Sequence, residues 1–363
     1  MNINRLSKKV REQMVVFQEI ALDGITKPKK KFVDQMLYGI ISSKTVLISK
    51  ISRSLKEPIK LIKTENRLCR NLGDGKIGKL IQNGIIKNQR DHIKKDTLLA
   101  LDFSDISKGY AKKMEYITYV RDGSKNETAM GYNTCQVVGV EKKNLIPLYG
   151  KLYSTIEPEF RSENKEMFNA IDSVSNYCGN NGVWLIDRGA DRNKVFEYMV
   201  KNGKDFIIRI KGNRILLTGN YFSEKNNGYE LANNCRIEEE EEIFFKKNEK
   251  QELYKLQYGR RAVTIAGIGS ILYLTVIWGF TKDKPMMLLS SKDRSAKKIF
   301  RSYLSRWRIE DMIRFTKQVF DLENIRVLKY QSLQNIYSII TLATVFMITY
   351  LSKEEGKFFL EKF

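Results

Sequence analysis

Between about residues 96 and 210 the chain alternates short apolar runs with longer stretches of helical periodicity, and this order restricts the folds open to it. The apolar runs predict strands at about 98–103, 132–140, 145–153, 183–187 and 205–210. A helix is expected after the third of these runs, where Ser162 can cap it and Cys178 ends it. Another helix is expected after the fourth run, where Asp191 can cap it and Gly203 ends it.

The predicted order is therefore strand, strand, strand, helix, strand, helix, strand. It is the order of an RNase H-like fold, a mixed sheet with helices on both faces, in which the first and fourth strands are neighbours. Asp102 closes the first of these two strands and Asp187 closes the fourth. We therefore expect both carboxylates at one edge of the sheet.

The fold class predicted for the whole chain is α/β, an RNase H-like mixed sheet flanked by helices, with a β-rich insertion and an α-helical N-terminal domain. Residues 1–95 have apolar residues at helical spacing and are expected to form a basic, DNA-binding domain. Residues 96–330 are expected to form the catalytic domain, with the insertion at about 213–284 and a long helix over about 295–320. Residues 331–363 are expected to form a C-terminal helical segment.

The charge of the chain is strongly positive and unevenly distributed. The formal net charge is +22, and residues 1–95 hold 22 Lys/Arg against 8 Asp/Glu. An excess of this size indicates a polyanionic partner, most simply nucleic acid. A generally Lys-rich composition is the alternative, but it does not explain the concentration of charge in the N-terminal quarter.

The residues needed for several common hydrolytic mechanisms are scarce. His92 is the single histidine, which nearly excludes Ser-His-Asp hydrolases, HExxH metalloproteases and zinc deaminases. The four cysteines form no C-x2-C pair, so neither a zinc site nor a disulfide framework is expected. No signal peptide is visible, and the apolar run at 335–351 is too short and too rich in hydroxyl groups for a membrane span. A cytoplasmic, nucleoid-associated protein with a buried core helix and no membrane partner is expected.

Four polar residues recur on one side of the predicted late helix. At 100° per residue, Tyr303, Arg306, Glu310 and Lys317 fall within an arc of about 60°. Glu310 could bind metal, Arg306 and Lys317 could hold phosphates, and Tyr303 could donate a hydrogen bond to a phosphate oxygen. A solvated ladder of salt bridges is the alternative interpretation. The adjacent Trp307 could stack on an unpaired base.

Two carboxylates at strand ends and a third on a helix are the ligands that a two-metal phosphoryl-transfer site needs. A few carboxylates hold a pair of Mg²⁺ ions about 3.5–4 Å apart, with oxygen ligands in octahedral geometry. Asp102, Asp187 and Glu310 are therefore the predicted catalytic and metal-binding residues. Three nearby acids rank below them, because Asp105 follows the strand, Asp191 suits a helix cap and Asp311 points about 100° away from Glu310.

The spacing Y-x2-R-x3-E-x6-K of the late-helix residues resembles the signature of the DDE transposases of bacterial insertion sequences, in the family numbered four. Asp187-Arg188 and Leu101-Asp102 are similar to the family's contexts for its two aspartates. The resemblance implies two Mg²⁺ ions, for which Mn²⁺ can substitute, and cleavage at terminal inverted repeats followed by strand transfer into target DNA. It also implies double-stranded DNA as partner, a homodimer in the synaptic complex, and DNA contacts by Tyr303, Arg306, Lys317, Arg188 and Trp307.

Two other functions stay open from the sequence. One is an RNase H-like nuclease that uses the same metals without strand transfer. The other is a non-catalytic DNA-binding protein derived from a transposase, which the intact Asp-Asp-Glu set argues against.

Overall fold

The computed structural model describes residues 3–122, 127–142, 144–247 and 250–350. The helices of this part are α1 (Ile3–Ala21), α2 (Lys27–Ser43), α3 (Ile48–Ser54), α4 (Leu61–Leu72), α5 (Ile77–Gln89), α6 (Glu163–Cys178), α7 (Asn193–Lys201), α8 (Gly228–Asn233), α9 (Ala296–Leu304), α10 (Trp307–Val319) and α11 (Tyr330–Val345). The strands are β1 (Leu98–Ser107), β2 (Thr118–Asp122), β3 (Glu127–Glu141), β4 (Asn144–Tyr153), β5 (Val183–Ile186), β6 (Asp205–Arg209), β7 (Ile215–Thr218), β8 (Glu224–Asn227), β9 (Glu239–Lys247), β10 (Lys250–Val263), β11 (Leu272–Trp278) and β12 (Met286–Ser290).

The chain divides into two compact units. Unit 1 takes its described residues from Met1–Ile93, Asp102–Gly179 and Arg308–Phe363. Unit 2 takes its described residues from Lys94–Leu101 and Asn180–Trp307. The predicted domain boundaries near residues 95 and 330 stay predictions, and residues 351–363 of the predicted C-terminal segment lie outside the described residues.

Ten of the described strands form one mixed sheet, in the order β2-β3-β1-β5-β6-β12-β11-β10-β9, with β4 paired to β3. β1 pairs in parallel with β5, from Leu98 opposite Val183 to Leu101 opposite Ile186. The predicted adjacency of these two strands is confirmed, as is the mixed sheet flanked by helices. Most of the β-rich insertion extends this sheet through β12, while β7 and β8 form a separate two-stranded sheet.

The core of unit 1 is built around α11, which packs against β4, α2 and α5. The helical segment Tyr330–Thr349 is long and apolar enough to cross a membrane by length and composition, but 83 % of its most apolar window is buried inside the structure. A fully buried polar residue, Asn335, fixes its register: its Nδ2 donates to Leu72 O at 2.7 Å and its Oδ1 accepts from Gly78 N at 3.0 Å. The prediction of a buried core helix is confirmed.

The core of unit 2 lies between α9 and the sheet formed by β5, β6, β10, β11 and β12. Phe300 of α9 packs there with Tyr258 of β10 and Leu288 of β12. Four acids of the run at 238–242 are paired with cations of the same unit: Glu238 with Arg260, Glu239 with Lys297, Glu241 with Arg301 and Glu242 with Lys255.

The predicted single helix over about 295–320 is wrong. α9 ends at Leu304 and α10 begins at Trp307. Arg306 N donates to Tyr303 O, an i→i−3 bond that tightens the last turn, and Ser305 Oγ donates to Arg301 O. Side chains such as Ser that bond to the preceding turn compete with helix continuation, and these bonds close α9 before α10 starts.

Two smaller expectations also need correction. β1 runs on to Ser107, so Asp102 lies within the strand and not at its end, because β1 still has β3 as a neighbour where β5 has finished. Asp191 does not cap α7, whose first flanking residue is Arg192 without a side-chain cap. The predicted cap of α6 is correct: Ser162 accepts from Lys165 N at 3.2 Å.

Candidate active site

Asp102 and Glu310 line one cavity of unit 1 with a volume of about 490 Å³. Carboxylates and cations both line it. The acids are Asp102, Asp105, Glu163 and Glu310, and the bases are Arg121, Arg314 and Lys317. A cavity with both signs of charge can hold a cation and the phosphate that the cation neutralises.

Strand β1 places Asp102 in this cavity. Its side chain is half-buried, and its Oδ1 accepts a hydrogen bond from Phe103 N at 3.0 Å. Asp105, three residues later, is buried and accepts from Ser107 Oγ at 3.1 Å. Lys317 Nζ lies 3.6 Å from Asp105 Oδ2. Asp105 therefore serves as the ion-pair partner of Lys317.

Helix α10 places Glu310 and Lys317 in the same cavity. Glu310 is in the first turn of the helix and exposed, while Lys317 is in the last turn and half-buried. Arg314 stands between them on the same side, four residues after Glu310. Sequence reasoning missed Arg314, although its spacing from Glu310 and Lys317 could have indicated it.

Asp187 lies in unit 2, directly after β5. Its half-buried side chain accepts from Gly189 N at 2.8 Å and so caps the short 3₁₀ turn Arg188–Ala190. The pKa of Tyr303 is raised, chiefly by burial, and the Asp187 charge adds to this while Arg306 and Arg209 oppose it. Asp187, Arg209, Tyr303 and Arg306 therefore share one electrostatic neighbourhood.

Tyr303 and Arg306 are buried, with 3 % and 8 % of their surface exposed. The Arg306 guanidinium lies 5.9 Å from the Tyr303 ring centroid. The predicted arc of four polar residues required one continuous helix. Because the helix breaks at Arg306, Tyr303 lies on α9 whereas Glu310 lies on α10, and the arc does not exist as one helix face. The sequence analysis did not name Arg209 as a site residue. Arg209 is the last residue of β6 and follows an apolar run, just as Asp187 follows the apolar run of β5, so the same pattern could have indicated it.

Of the predicted DNA-binding residues in unit 2, Trp307 and Arg188 are the exposed ones. Trp307 stacks on Phe280, with ring centroids 5.9 Å apart and planes inclined by 27°, and it remains exposed elsewhere. Arg188 is exposed and lines a pocket of about 250 Å³ with Arg209, Lys282 and Lys284. Asp283 also lines this pocket, but the four cations leave a net positive charge, which suits a phosphate.

The pairing of β1 with β5 ends one residue before each of the two predicted aspartates. The last paired residues are Leu101 and Ile186. Asp102 is the next residue after Leu101, and Asp187 is the next after Ile186.

The donors in the cavity of unit 1 fit a hard divalent cation by type. Asp102 and Glu310 offer carboxylate oxygens, the ligands that Mg²⁺ and Mn²⁺ prefer. Within the described ranges, no group of three His, Cys, Asp or Glu side chains is placed to hold one metal ion. The cavity thus supplies the donor type but not a complete ligand set.

Comparison with known proteins identifies the family. The family described as transposase DDE domain matches residues 155–346, more than half of the chain, and the chain belongs to that family. The resemblance to DDE transposases is thereby confirmed.

A solved structure agrees on the fold. The chain is similar to the piggyBac transposase in a synaptic complex with hairpin DNA, determined by cryo-EM, with a TM-score of 0.52 and 13 % identity. The similarity covers 99 % of this chain and 77 % of that one. No curated protein sequence matches the chain.

Proposed function

We propose that this protein is a transposase of the bacterial insertion-sequence family numbered four. It cuts double-stranded DNA at the terminal inverted repeats of its element and joins the freed 3′ ends to target DNA. The observation that carries the proposal is the cavity shared by Asp102, Glu310 and Lys317 in a chain of the transposase DDE domain family. The Y-x2-R-x3-E-x6-K spacing supports the assignment to this family of insertion sequences.

Asp102, Asp187 and Glu310 are proposed as the catalytic carboxylates. The pairing of Leu101 with Ile186 supports the grouping of the two aspartates, and the common cavity supports the grouping of Asp102 with Glu310. When bound, a pair of divalent cations, Mg²⁺ or in its place Mn²⁺, supplies Lewis acidity at the scissile phosphate, and these three carboxylates would hold it.

The chemistry consists of two phosphoryl transfers. In the first, water forms a bond to phosphorus and the bond to the 3′ oxygen breaks, which releases a 3′-hydroxyl end. In the second, that 3′-hydroxyl attacks a target phosphodiester, and the target strand's own 3′ oxygen leaves. Lys317 and Arg314, which line the same cavity, are proposed to hold the non-bridging phosphate oxygens, Lys as a point charge and Arg as a fork.

The other DNA contacts are assigned by exposure. Arg188 and the exposed part of Trp307 are proposed to contact DNA at the surface, Trp307 by stacking on an unpaired base. Tyr303 and Arg306 are buried, and the charge of Asp187 acts on Tyr303, so their proposed contact is with the phosphate that Asp187 helps to hold.

The proposed partners are the transposon ends and the target, both double-stranded DNA, bound by a homodimer in the synaptic complex. The positive charge of residues 1–95 supports DNA as the partner. The similar piggyBac structure is itself a synaptic complex with DNA. The protein is proposed to act in the bacterial cytoplasm, at the nucleoid.

A strand-transfer assay tests this function. Purified protein, Mg²⁺ and a labelled duplex that carries one of the inverted repeats flanking the gene are mixed with supercoiled target plasmid. The proposal predicts label joined covalently to the plasmid. Cleavage of the labelled duplex without joining would identify an RNase H-like nuclease instead, and binding with neither reaction would identify a non-catalytic DNA-binding protein.

A further inference from the structure

Helices α2, α3 and α4 of unit 1 pack against one another and leave one face of α4 open. Gly39 of α2 permits the close packing, since a Cβ there would lie 2.4 Å from Ile51 Cγ2 of α3. α4 buries Thr64, Leu68 and Leu72 against this arrangement. Five of its six exposed residues fall within an arc of about 120° on the other side: Ile62, Lys63, Asn66, Cys69 and Arg70. The sixth, Asn71, lies outside this arc.

A hydrogen-bond network fixes the direction in which α4 presents this face. Glu57, in the segment between α3 and α4, accepts from Gln35 of α2 at 2.9 Å and from Thr64 at 2.7 Å. Arg67 donates to Glu57 at 2.6 Å and to Gln35 at 2.8 Å. Burial acts to raise the pKa of Glu57, but bonds from Thr64, Gln35 and Arg67 outweigh it and the pKa is lowered. The carboxylate is thus held ionised as the centre of the network.

The chemistry of the open face matches the edges of base pairs in the major groove. An Asn side chain pairs with adenine, an Arg with guanine, and aliphatic carbons contact the methyl group of thymine. Asn66, Arg70 and Ile62 supply one of each, and Lys63 adds a charge for phosphate. The five positions of the face include no acid. This composition favours duplex DNA over an acidic protein as the partner. Binding to an acidic protein would not require the amide of Asn66 and the aliphatic side chain of Ile62 on the same face.

The C-terminal end of α4 leads into a basic groove. Arg70 and Cys69 also line a cavity of about 1240 Å³ in unit 1. Its other cations are Lys29, Lys76, Arg326 and Lys329. The acid in this lining, Asp74, is already paired with Lys29 at 2.6 Å. The groove is therefore suited to the sugar-phosphate backbone that flanks the major groove.

We infer that α4 is the helix that enters the major groove of duplex DNA, with Asn66 and Arg70 on base edges and the groove beside Arg70 on the backbone. The arrangement of two helices in which the second reads the groove is a known mode of DNA recognition. The inference rests on the proposed function in one respect, that the duplex read is the end of the element.

Cys69 provides a test in the unaltered protein. It is exposed on the open face, whereas Cys135 and Cys178 are buried and Cys235 of unit 2 is partly exposed. The protein is treated with N-ethylmaleimide, with and without a duplex carrying the inverted repeat, and the modification of each cysteine is read by mass spectrometry. The inference predicts that DNA slows modification of Cys69 by 10-fold or more and leaves Cys235 unchanged. Equal modification of Cys69 with and without bound duplex would overturn it.

A selection experiment tests the reading of bases. Wild-type protein, Asn66→Ala, Arg70→Ala and the control Lys79→Ala, an exposed charge on α5, each select duplexes from a randomised library. Wild type should enrich one sequence. Asn66→Ala and Arg70→Ala should each lose preference at one or two adjacent positions and bind the enriched duplex about 10-fold more weakly. Lys79→Ala should enrich the wild-type sequence.

The outcomes separate this inference from the proposed function. An unchanged selected sequence in both α4 variants, with circular dichroism showing all proteins folded, would overturn the inference while leaving catalysis untouched. Failure of wild type to enrich any duplex, or a preference for RNA, would also overturn it. Selection through α4 by a protein that neither cuts nor joins DNA would uphold the inference and contradict the proposed function.

Discussion

Asp102 and Glu310 line the same cavity although one stands in the first third of the chain and the other near its end. Asp102 lies in the middle of a ten-residue strand, and Glu310 lies in the first turn of a thirteen-residue helix. Both carboxylates are therefore positioned by regular backbone. A site built on strands and helices keeps its geometry better than one built on loops, which suits phosphoryl transfer.

Lys317 should contribute affinity for DNA without contributing sequence preference. Lys317→Ala is expected to weaken binding of the inverted-repeat duplex and of unrelated duplexes by the same factor. It should also reduce the slope of log K against log salt concentration by about 1, because one phosphate contact is lost. Binding measured across a salt series tests this. Lys255→Ala, which removes an exposed charge paired with Glu242 in unit 2, should leave the slope unchanged.

Asp191 and Asp311 should behave oppositely when each is changed to Ala. Asp191 has 2 % of its side chain exposed and binds Arg214 Nε at 2.5 Å and Lys211 N at 2.7 Å. Removing one partner of a buried ion pair costs about 3–5 kcal/mol, so Asp191→Ala should lower the free energy of unfolding by that amount. Asp311 has 70 % of its side chain exposed, and its loss should cost under about 0.5 kcal/mol.

Urea denaturation of the two variants measures this difference. A stable Asp191→Ala protein that had lost DNA cleavage would contradict the structural role and return Asp191 to the candidate catalytic acids.

Asp34 of α2 should make the protein less stable as the pH rises. Burial raises its pKa to about 6, with Lys30 opposing, and its buried Oδ1 has no hydrogen-bond partner in the described structure. The folded state holds its proton up to a higher pH than the unfolded state does. The free energy of unfolding therefore falls between about pH 4 and pH 6.

Asp34→Asn should remove this dependence and stabilise the protein above pH 6 by about 1 kcal/mol, since partial exposure reduces the effect. Denaturation at pH 4.5 and pH 8 tests it, and an equal effect of the substitution at both values would contradict the account.

Asp205 should have the opposite dependence. Burial acts to raise its pKa, but bonds from Arg294 at 2.5 Å and Lys292 at 2.8 Å outweigh it and the pKa is lowered. Its stabilising contribution is present above the unfolded pKa, about 3.9, and is lost as the pH falls through the lower folded value. Asp205→Asn should therefore destabilise the protein at pH 7 and flatten the acid limb of its stability curve. An acid limb as steep as that of wild type would argue against the ion pairs.

The sequence predicted those features that depend on local periodicity. Strands β1 and β5 follow from their apolar runs, and their adjacency in the sheet follows from the order of elements. The register that pairs Leu101 with Ile186 comes from the structure. The helical, basic character of residues 1–95 was predictable in the same way.

Features that depend on particular hydrogen bonds and ion pairs, local or distant in sequence, were not predictable. Periodicity cannot show that Ser305 and Arg306 bond back to the preceding turn, so it gave one helix where there are two. Asp191 resembled a cap because its partner, Arg214, lies beyond the next helix. The network of Glu57 with Gln35 likewise joins elements that no spacing rule connects.

The most direct test of the central claim compares cleavage by wild type and Glu310→Gln on a supercoiled plasmid that carries the flanking inverted repeats, in Mg²⁺, with binding to the same ends measured in parallel. Glu310 is exposed on α10, so the isosteric change should not disturb folding. The account predicts normal end binding and a loss of cleavage of about 10²–10³-fold, because several kcal/mol of transition-state stabilisation would be removed. Cleavage by Glu310→Gln at the wild-type rate would contradict the assignment of this carboxylate to the catalytic centre.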